Sequence, residues 1–465
     1  MLSPEKASLL QSFLGSLPKD TAARLATAIE LDRLADGKLL PHELILEGLR
    51  PVLRYDEMRR RTPTPLRLFC RPFEDLLVNG TRREKQKARI LRTHVVPIWH
   101  WVSHDVVPSE AAAYSSDIRS CVLTGRHSKA FERAEKFWPV AGAAMVEALN
   151  KKRAAAVKAL GSELAAEDAV DIGRVLQSGG AMMSVQALLP KPTPVLADEL
   201  LWGLRRIFDI VAEANADAAP YVPVVAMRRL QKPWEALKLP LSVARQTQDV
   251  LIASTDMGLV GDVLFSDMED WRTAIMTIHQ PRFSPDDLIR PLASFTEISS
   301  AIVKEVEIVR TGRWGQRLLK DRAAIGGVME TFMEKAPKEI AAALPTHKAG
   351  YSGGPRVPDL TRPIDVDRAD RALRYATVVS KTKLLAVPGS FGAKHQDALD
   401  ECCLYLRSYS EDLLKELRNA EGPRRESADR QFQLALELAQ LLFEPSDYEF
   451  LRRRGKAAGA QSETV

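Results

Sequence analysis

Aromatic side chains make up only 6% of the 465-residue chain, so its core has to rest on aliphatic residues and alanine. Four cysteines, Cys70, Cys121, Cys402 and Cys403, are too few for a secreted disulfide framework, and no C-x-x-C pair offers a zinc or redox site. No run approaches the roughly 18 apolar residues that a membrane span needs. The opening Met1-Leu2-Ser3-Pro4 carries no basic stretch ahead of an apolar one, so no signal peptide is expected. Phosphate loops of the G-x-x-x-x-G-K-[ST] type and dinucleotide fingerprints are both missing. Gly389-Ser390-Phe391-Gly392 lacks the spacing of a nucleophile elbow, and His42-Glu43 has Leu46 where a zinc protease needs its second histidine. No motif therefore nominates a catalytic residue, a metal ligand or a cofactor. One charge sign does not dominate either: 66 basic against 61 acidic residues leave a net charge of only +5.

What remains is an ordinary globular composition, 45% hydrophobic and 27% charged, in a length that suits about three domains of roughly 150 residues each. Arginine outnumbers lysine and alanine is abundant, the bias of a GC-rich bacterial genome. The punctuation is helical. Pro4 opens a first helix, with Gly15 expected just past its end, and a second runs from Pro18 to Leu34 before a third at Pro41. Long helical stretches follow over 128–160, with a kink or break at Pro139, and over 196–216, 286–311 and 315–343. Thr81-Arg82-Arg83-Glu84 and Ser446-Asp447-Tyr448-Glu449 have the form of capping boxes. Strand signals are nearly absent. Leu66 to Phe73 alternates between prolines and reads as an extended connector, and Tyr221 to Met227, beside Pro220 and Pro223, reads as a loop or short buried turn.

These signals predict an all-α fold: an irregular multi-helix body over 1–343, a Pro/Gly linker or long loop over 344–366, a smaller C-terminal helical bundle over 367–456 and a tail over 457–465. Leu399, Cys403 and Leu406 share one face of the bundle, which reads as core.

Three constellations could carry chemistry. The segment 50–92 holds 13 basic residues against five acids, a net of +8 that exceeds the charge of the whole chain. Arg59, Arg60 and Arg61 precede the proline-rich connector. Arg82, Arg83, Lys85, Lys87, Arg89 and Arg92 crowd one expected short helix, a candidate anion-binding face. An acidic segment over 258–307, with nine acids against four bases, could neutralise that face from within the chain. Between two helices, Arg313, Trp314 and Arg317 with their flanking glycines suggest a corner with a stacked Arg–Trp pair or a ligand-contacting hinge. His100 and His104 are spaced one helical turn apart and could face one ion, but His94 lies about 240° round the wheel and cannot complete the set.

The sequence does not name a function. It is consistent with a non-enzymatic cytoplasmic helical adaptor or scaffold that binds a protein partner. Alternatives are a nucleic-acid-associated protein using 50–92, peripheral contact with an anionic membrane, and a metal-dependent enzyme built on His100 and His104.

Overall fold

A computed structural model describes residues 4–35, 37, 39–53, 62–80, 84–244, 256–278, 282–348 and 356–460. The fold is all-α: among the described residues stand twenty α-helices and two minimal strand pairs. The chain divides into two compact units, the first reaching residue 244 and including 256–263, the second running from residue 264 onward.

In the first unit, α1 (Pro4–Gly15), α2 (Lys19–Leu34) and α3 (His42–Leu53) close around Leu14, Ala22, Ala26, Ile29, Ile45 and Leu49. Arg67 ties the next helix to this trio, its guanidinium meeting the Glu30 carboxylate at 2.8 and 2.5 Å. Leu66 to Phe73, expected to be extended, is instead helical: α4 (Pro65–Cys70) runs into a 3-10 turn over Arg71–Leu76. The reason is local. Pro65 sits at the first helical position, where no N–H is needed, and the Thr64 hydroxyl accepts from the Arg67 amide at 3.2 Å. Tyr114 then donates its hydroxyl to the Pro65 carbonyl and Trp138 its indole N–H to that of Leu68, so the aromatic cluster also holds the segment.

After α5 (Val95–Trp101), a π-helical turn Val102–Val106 leads into α6 (Pro108–Leu123), α7 (His127–Lys151) and α8 (Arg153–Leu160). Pro139 does not break α7. Its ring faces solvent, where water can take the carbonyl that loses its partner, and the chain breaks only at Lys152. Helix α7 crosses α9 (Glu163–Gln177) at close range. A Cβ at Gly142 would lie 2.6 Å from the Gly173 carbonyl oxygen, so only glycine permits the approach. Ser178 separates α9 from α10 (Gly179–Leu188). After α11 (Asp198–Ala214), Tyr221 to Met227 is not a loop but α12, fully buried; Pro223 falls in its first turn, where a missing N–H costs nothing. Helix α13 covers Lys238–Ala244.

Helix α14 (Leu259–Met276) leads into the second unit, which continues through α15 (Pro285–Glu305), α16 (Arg313–Ala343), α17 (Val366–Lys381), α18 (Gly392–Asn419), α19 (Gly422–Leu442) and α20 (Pro445–Ala460). The stretch 344–366 lies inside this unit. Its described part forms a short antiparallel pair, Thr346–Lys348 with Arg356–Pro358, and residues 349–355 lie outside the described set. Buried Gln431 donates to the Asp359 carbonyl at 2.9 Å and accepts from the Tyr409 hydroxyl at 2.8 Å, which fastens the pair to α18 and α19. Ser446 stands within the first turn of α20 rather than capping it, and the helix continues to Ala460 through much of the expected tail. On α18 it is Cys402, not Cys403, that is fully buried with Leu406.

Candidate interaction surfaces

The basic segment does not form the expected helix. Residues 84–89 are irregular and lead into a two-residue strand, Ile90–Leu91, paired in parallel with Leu77–Val78. Arg59, Arg60, Arg61, Arg82 and Arg83, with the expected cap at Thr81, lie outside the described residues. Of the remaining four, Lys85 is turned inward. Its ammonium group bridges two buried carboxylates of α9, pairing with Asp168 and reaching Asp171 at 2.7 Å. Those two acids collect the whole segment. Asp168 accepts from the Leu91 amide at 2.9 Å and from His94 Nδ1 at 2.8 Å; a carboxylate can only accept, so Nδ1 carries the ring proton. Asp171 accepts from the Ala88 amide at 2.8 Å and the Tyr221 hydroxyl at 2.5 Å. Burial and the Asp171 charge together push the Tyr221 phenol well above its ordinary value, so it stays a donor.

Arg89 is also buried, bonding Gln86 at 2.9 Å, whereas Lys87 and Arg92 point outward. Lys87 lies 3.9 Å from Asp256, and Arg92 donates to Asn79 at 3.2 Å. Lys85 is therefore met from α9. Helix α9 explains why: it is buried on nearly every side, so two aspartates within it need cations and amides brought to them. Sequence reading passed over Asp168 and Asp171. The available signal was a D-x-x-D pair inside the run Leu164-Ala165-Ala166-Glu167-Asp168-Ala169-Val170-Asp171-Ile172, where acids share the apolar side.

The 310–317 corner is a built junction. A Cβ at Gly315 would sit 2.2 Å from the Val309 carbonyl oxygen, which requires glycine there. Trp314 is fully buried against Phe265, ring centroids 5.9 Å apart, so it is core. Arg317 lies over Phe265 at 5.6 Å, in place of the expected stack on Trp314. A depression of about 560 Å³ opens beside this corner, walled by Arg272, Arg313, Arg317 and Lys320 with Glu269 and Asp321. Glu269 takes Arg317 at 2.8 Å and Arg272 at 3.1 Å, and Arg272 Nε lies 3.3 Å from Asp321. Burial holds the Asp321 carboxyl above its usual range in spite of these cations.

His100 and His104 are exposed and stacked, centroids 4.0 Å apart, with His104 Nδ1 at 2.9 Å from the His100 carbonyl. His94 is engaged with Asp168, and among the described residues no group of three or more His, Cys, Asp or Glu could hold a metal ion. Cys70 and Cys402 are thiols pushed up to about 12 by burial, hence poor nucleophiles. Among the described residues no helix is long and apolar enough to cross a membrane.

Sequence reading also missed the outer face of α11. Its inner stripe, Leu204, Phe208 and Val211, is buried, yet Trp202 is 75% exposed on the other side, with Ile210 two turns further on also exposed. Around them stand Glu199, Arg206, Asp209 and Glu213, an acidic rim. Gly203 lets α11 close on Leu188 of α10, where a Cβ would lie 2.9 Å from the leucine side chain. The face is thus carried on a well-packed helix. Comparison of the chain with family models, with curated proteins and with solved structures finds no match.

Proposed function

We propose that this protein is a non-enzymatic helical adaptor that works by binding another protein, and that the outer face of α11 is its contact surface. The observation that supports this most is Trp202, an indole three-quarters exposed on a rigid helix whose opposite stripe is already buried. Tryptophan is the residue type most enriched among the anchors that dominate interface energies, and Ile210 two turns along adds a second exposed apolar side chain to the outer side of the helix. The acidic rim of Glu199, Asp209 and Glu213 favours a partner segment that is apolar at its centre and basic at its edge. Cytoplasmic residence and a bacterial source fit the same reading.

The test is retention of partners from a native lysate by the intact chain and by the double variant Trp202→Ala/Ile210→Ala. A partner anchored at Trp202 should lose about 30-fold or more in affinity, the effect of removing one hot-spot residue. Equal retention by both proteins would remove α11 as the contact surface.

A further inference from the structure

The turn that joins α17 to α18 combines a fixed base with an apolar tip. In the base, the Thr382 hydroxyl donates to the Val378 carbonyl at 2.7 Å, and the Leu385 amide donates to the Thr382 carbonyl at 2.9 Å. The Gly389 and Phe391 amides fold back onto the carbonyls of Leu385 and Ala386 at 2.8 and 2.9 Å. Ala386 and Phe391 are buried. Buried His395 lies 2.7 Å from the Val379 carbonyl, which ties the first turn of α18 to the last of α17. On α16, Gly326 faces the turn, where a Cβ would stand in ordinary contact, 3.4 Å from the Ser390 carbonyl oxygen.

From this base Leu384 and Val387 project with 87% and 81% of their surface exposed. A single exposed aliphatic residue is ordinary. Two of them, three residues apart at the summit of one hydrogen-bonded turn, cannot be relieved by a side-chain rearrangement, because the backbone beneath them is fixed. Lys381 and Lys383 precede the tip and Lys394 follows it in the first turn of α18. Their ammonium groups meet Asp286 at 3.9 Å, Glu444 at 3.1 Å and Glu334 at 3.2 Å. All three pairs are solvent-exposed, the class of ion pair that contributes little and exchanges readily for another anion.

We propose that the 382–391 turn is a membrane-interface anchor: Leu384 and Val387 enter the acyl boundary of a bilayer while Lys381, Lys383 and Lys394 lie among anionic headgroup phosphates. Composition favours a bilayer over a protein partner. The tip carries two aliphatic side chains beside three lysines and no exposed aromatic anchor, the make-up of an interfacial contact, whereas the outer face of α11 presents a tryptophan, the residue type most enriched at protein contacts. Charge decides for anionic lipid, since every basic residue beside the tip can transfer from a weak surface carboxylate to a phosphate. The inference is independent of the α11 reading, because it rests on a different unit and different residues.

The experiment is co-sedimentation of the full chain with vesicles of phosphatidylcholine alone and of phosphatidylcholine with 30% phosphatidylglycerol. The wild type should partition onto the anionic vesicles more strongly than onto the neutral ones. Leu384→Asp/Val387→Asp should lower partitioning on the order of 100-fold, since burial of two aliphatic side chains is lost. Lys383→Glu should lower it by about fivefold or more, the effect of one basic residue at the surface. Both variants alter exposed positions, and their thermal transitions should match the wild type. A wild-type chain that stays in the supernatant with anionic vesicles overturns the proposal. So does unchanged partitioning of the folded double variant.

Discussion

Two segments of similar length, 84–94 and 382–391, invert what their composition suggests. The first is crowded with lysine, arginine and histidine, yet its first lysine is turned inward: the Lys85 side chain is 14% exposed and bridges Asp168 and Asp171. The second carries no sequence motif, yet it holds two aliphatic side chains almost wholly in water. What separates them is the partner each segment meets. Buried acids on α9 require cations and amides and draw the basic chain inward, while the turn's own backbone hydrogen bonds and the His395 bond secure its base and leave its tip uncovered. Composition reports charge and apolarity, and only packing decides which of them faces solvent.

The largest effect should come from breaking the first segment's anchor. Asp168→Ala leaves Lys85 buried with half its carboxylate partners gone and orphans the Leu91 amide, so it should cost about 3–5 kcal/mol. Urea unfolding can be read separately in the two units, because Cys70 and Cys402 lie in different ones. With thiols pushed up to about 12, each is about one part in 10⁴ thiolate at pH 8, and both gain reactivity only when exposed. In Asp168→Ala, Cys70 should react at lower urea than in the wild type while Cys402 keeps its midpoint. A parallel shift of both would mean that the two units unfold together.

A smaller effect should follow from Gly142→Ala, whose methyl would meet the Gly173 carbonyl at the α7–α9 crossing that sets α9 in place. Overpacking of this kind costs about 1–3 kcal/mol, and the same Cys70 reaction should report it. Gly327→Ala is the control, since a Cβ there meets nothing within 4 Å. The smallest effect belongs to the second segment. Leu384→Asp/Val387→Asp should change unfolding free energy by less than about 0.5 kcal/mol, as expected for side chains this exposed. A larger loss would make the tip part of the core and erase the contrast.

The helices were largely legible in the sequence because proline, glycine and 3.6-residue periodicity act locally. Pro65 and Pro223 were misread because a proline in the first turn of a helix looks, in one dimension, like a proline that forbids one. Pro139 misled in the opposite sense, since its solvent-facing side was not visible without the fold. The candidate surfaces were less legible. Lys85 and Asp168 stand 83 residues apart, and nothing local pairs them. Trp202 lies about 200° round α11 from Leu204, so the periodicity already sets it opposite the Leu204, Phe208 and Val211 stripe; apolar residues on both sides, Ile210 among them, masked that signal. The corner at Arg313, Trp314 and Arg317 was found because two glycines in a helical context are a local anomaly, while the ring beneath Arg317 is that of Phe265, 52 residues away.

The claim that Lys85 is an internal clamp on α9 is tested most directly by the amine reactivity of two lysines two residues apart. Lys85 is held by two buried carboxylates, whereas the Lys87 side chain is 41% exposed beside a distant carboxylate. Brief treatment of the native protein with an acylating reagent, followed by peptide mapping, should modify Lys87 at the rate of an ordinary surface lysine and Lys85 at least tenfold more slowly. The two rates should converge after unfolding in urea. Equal modification in the native state would contradict the clamp and return Lys85 to the open basic face.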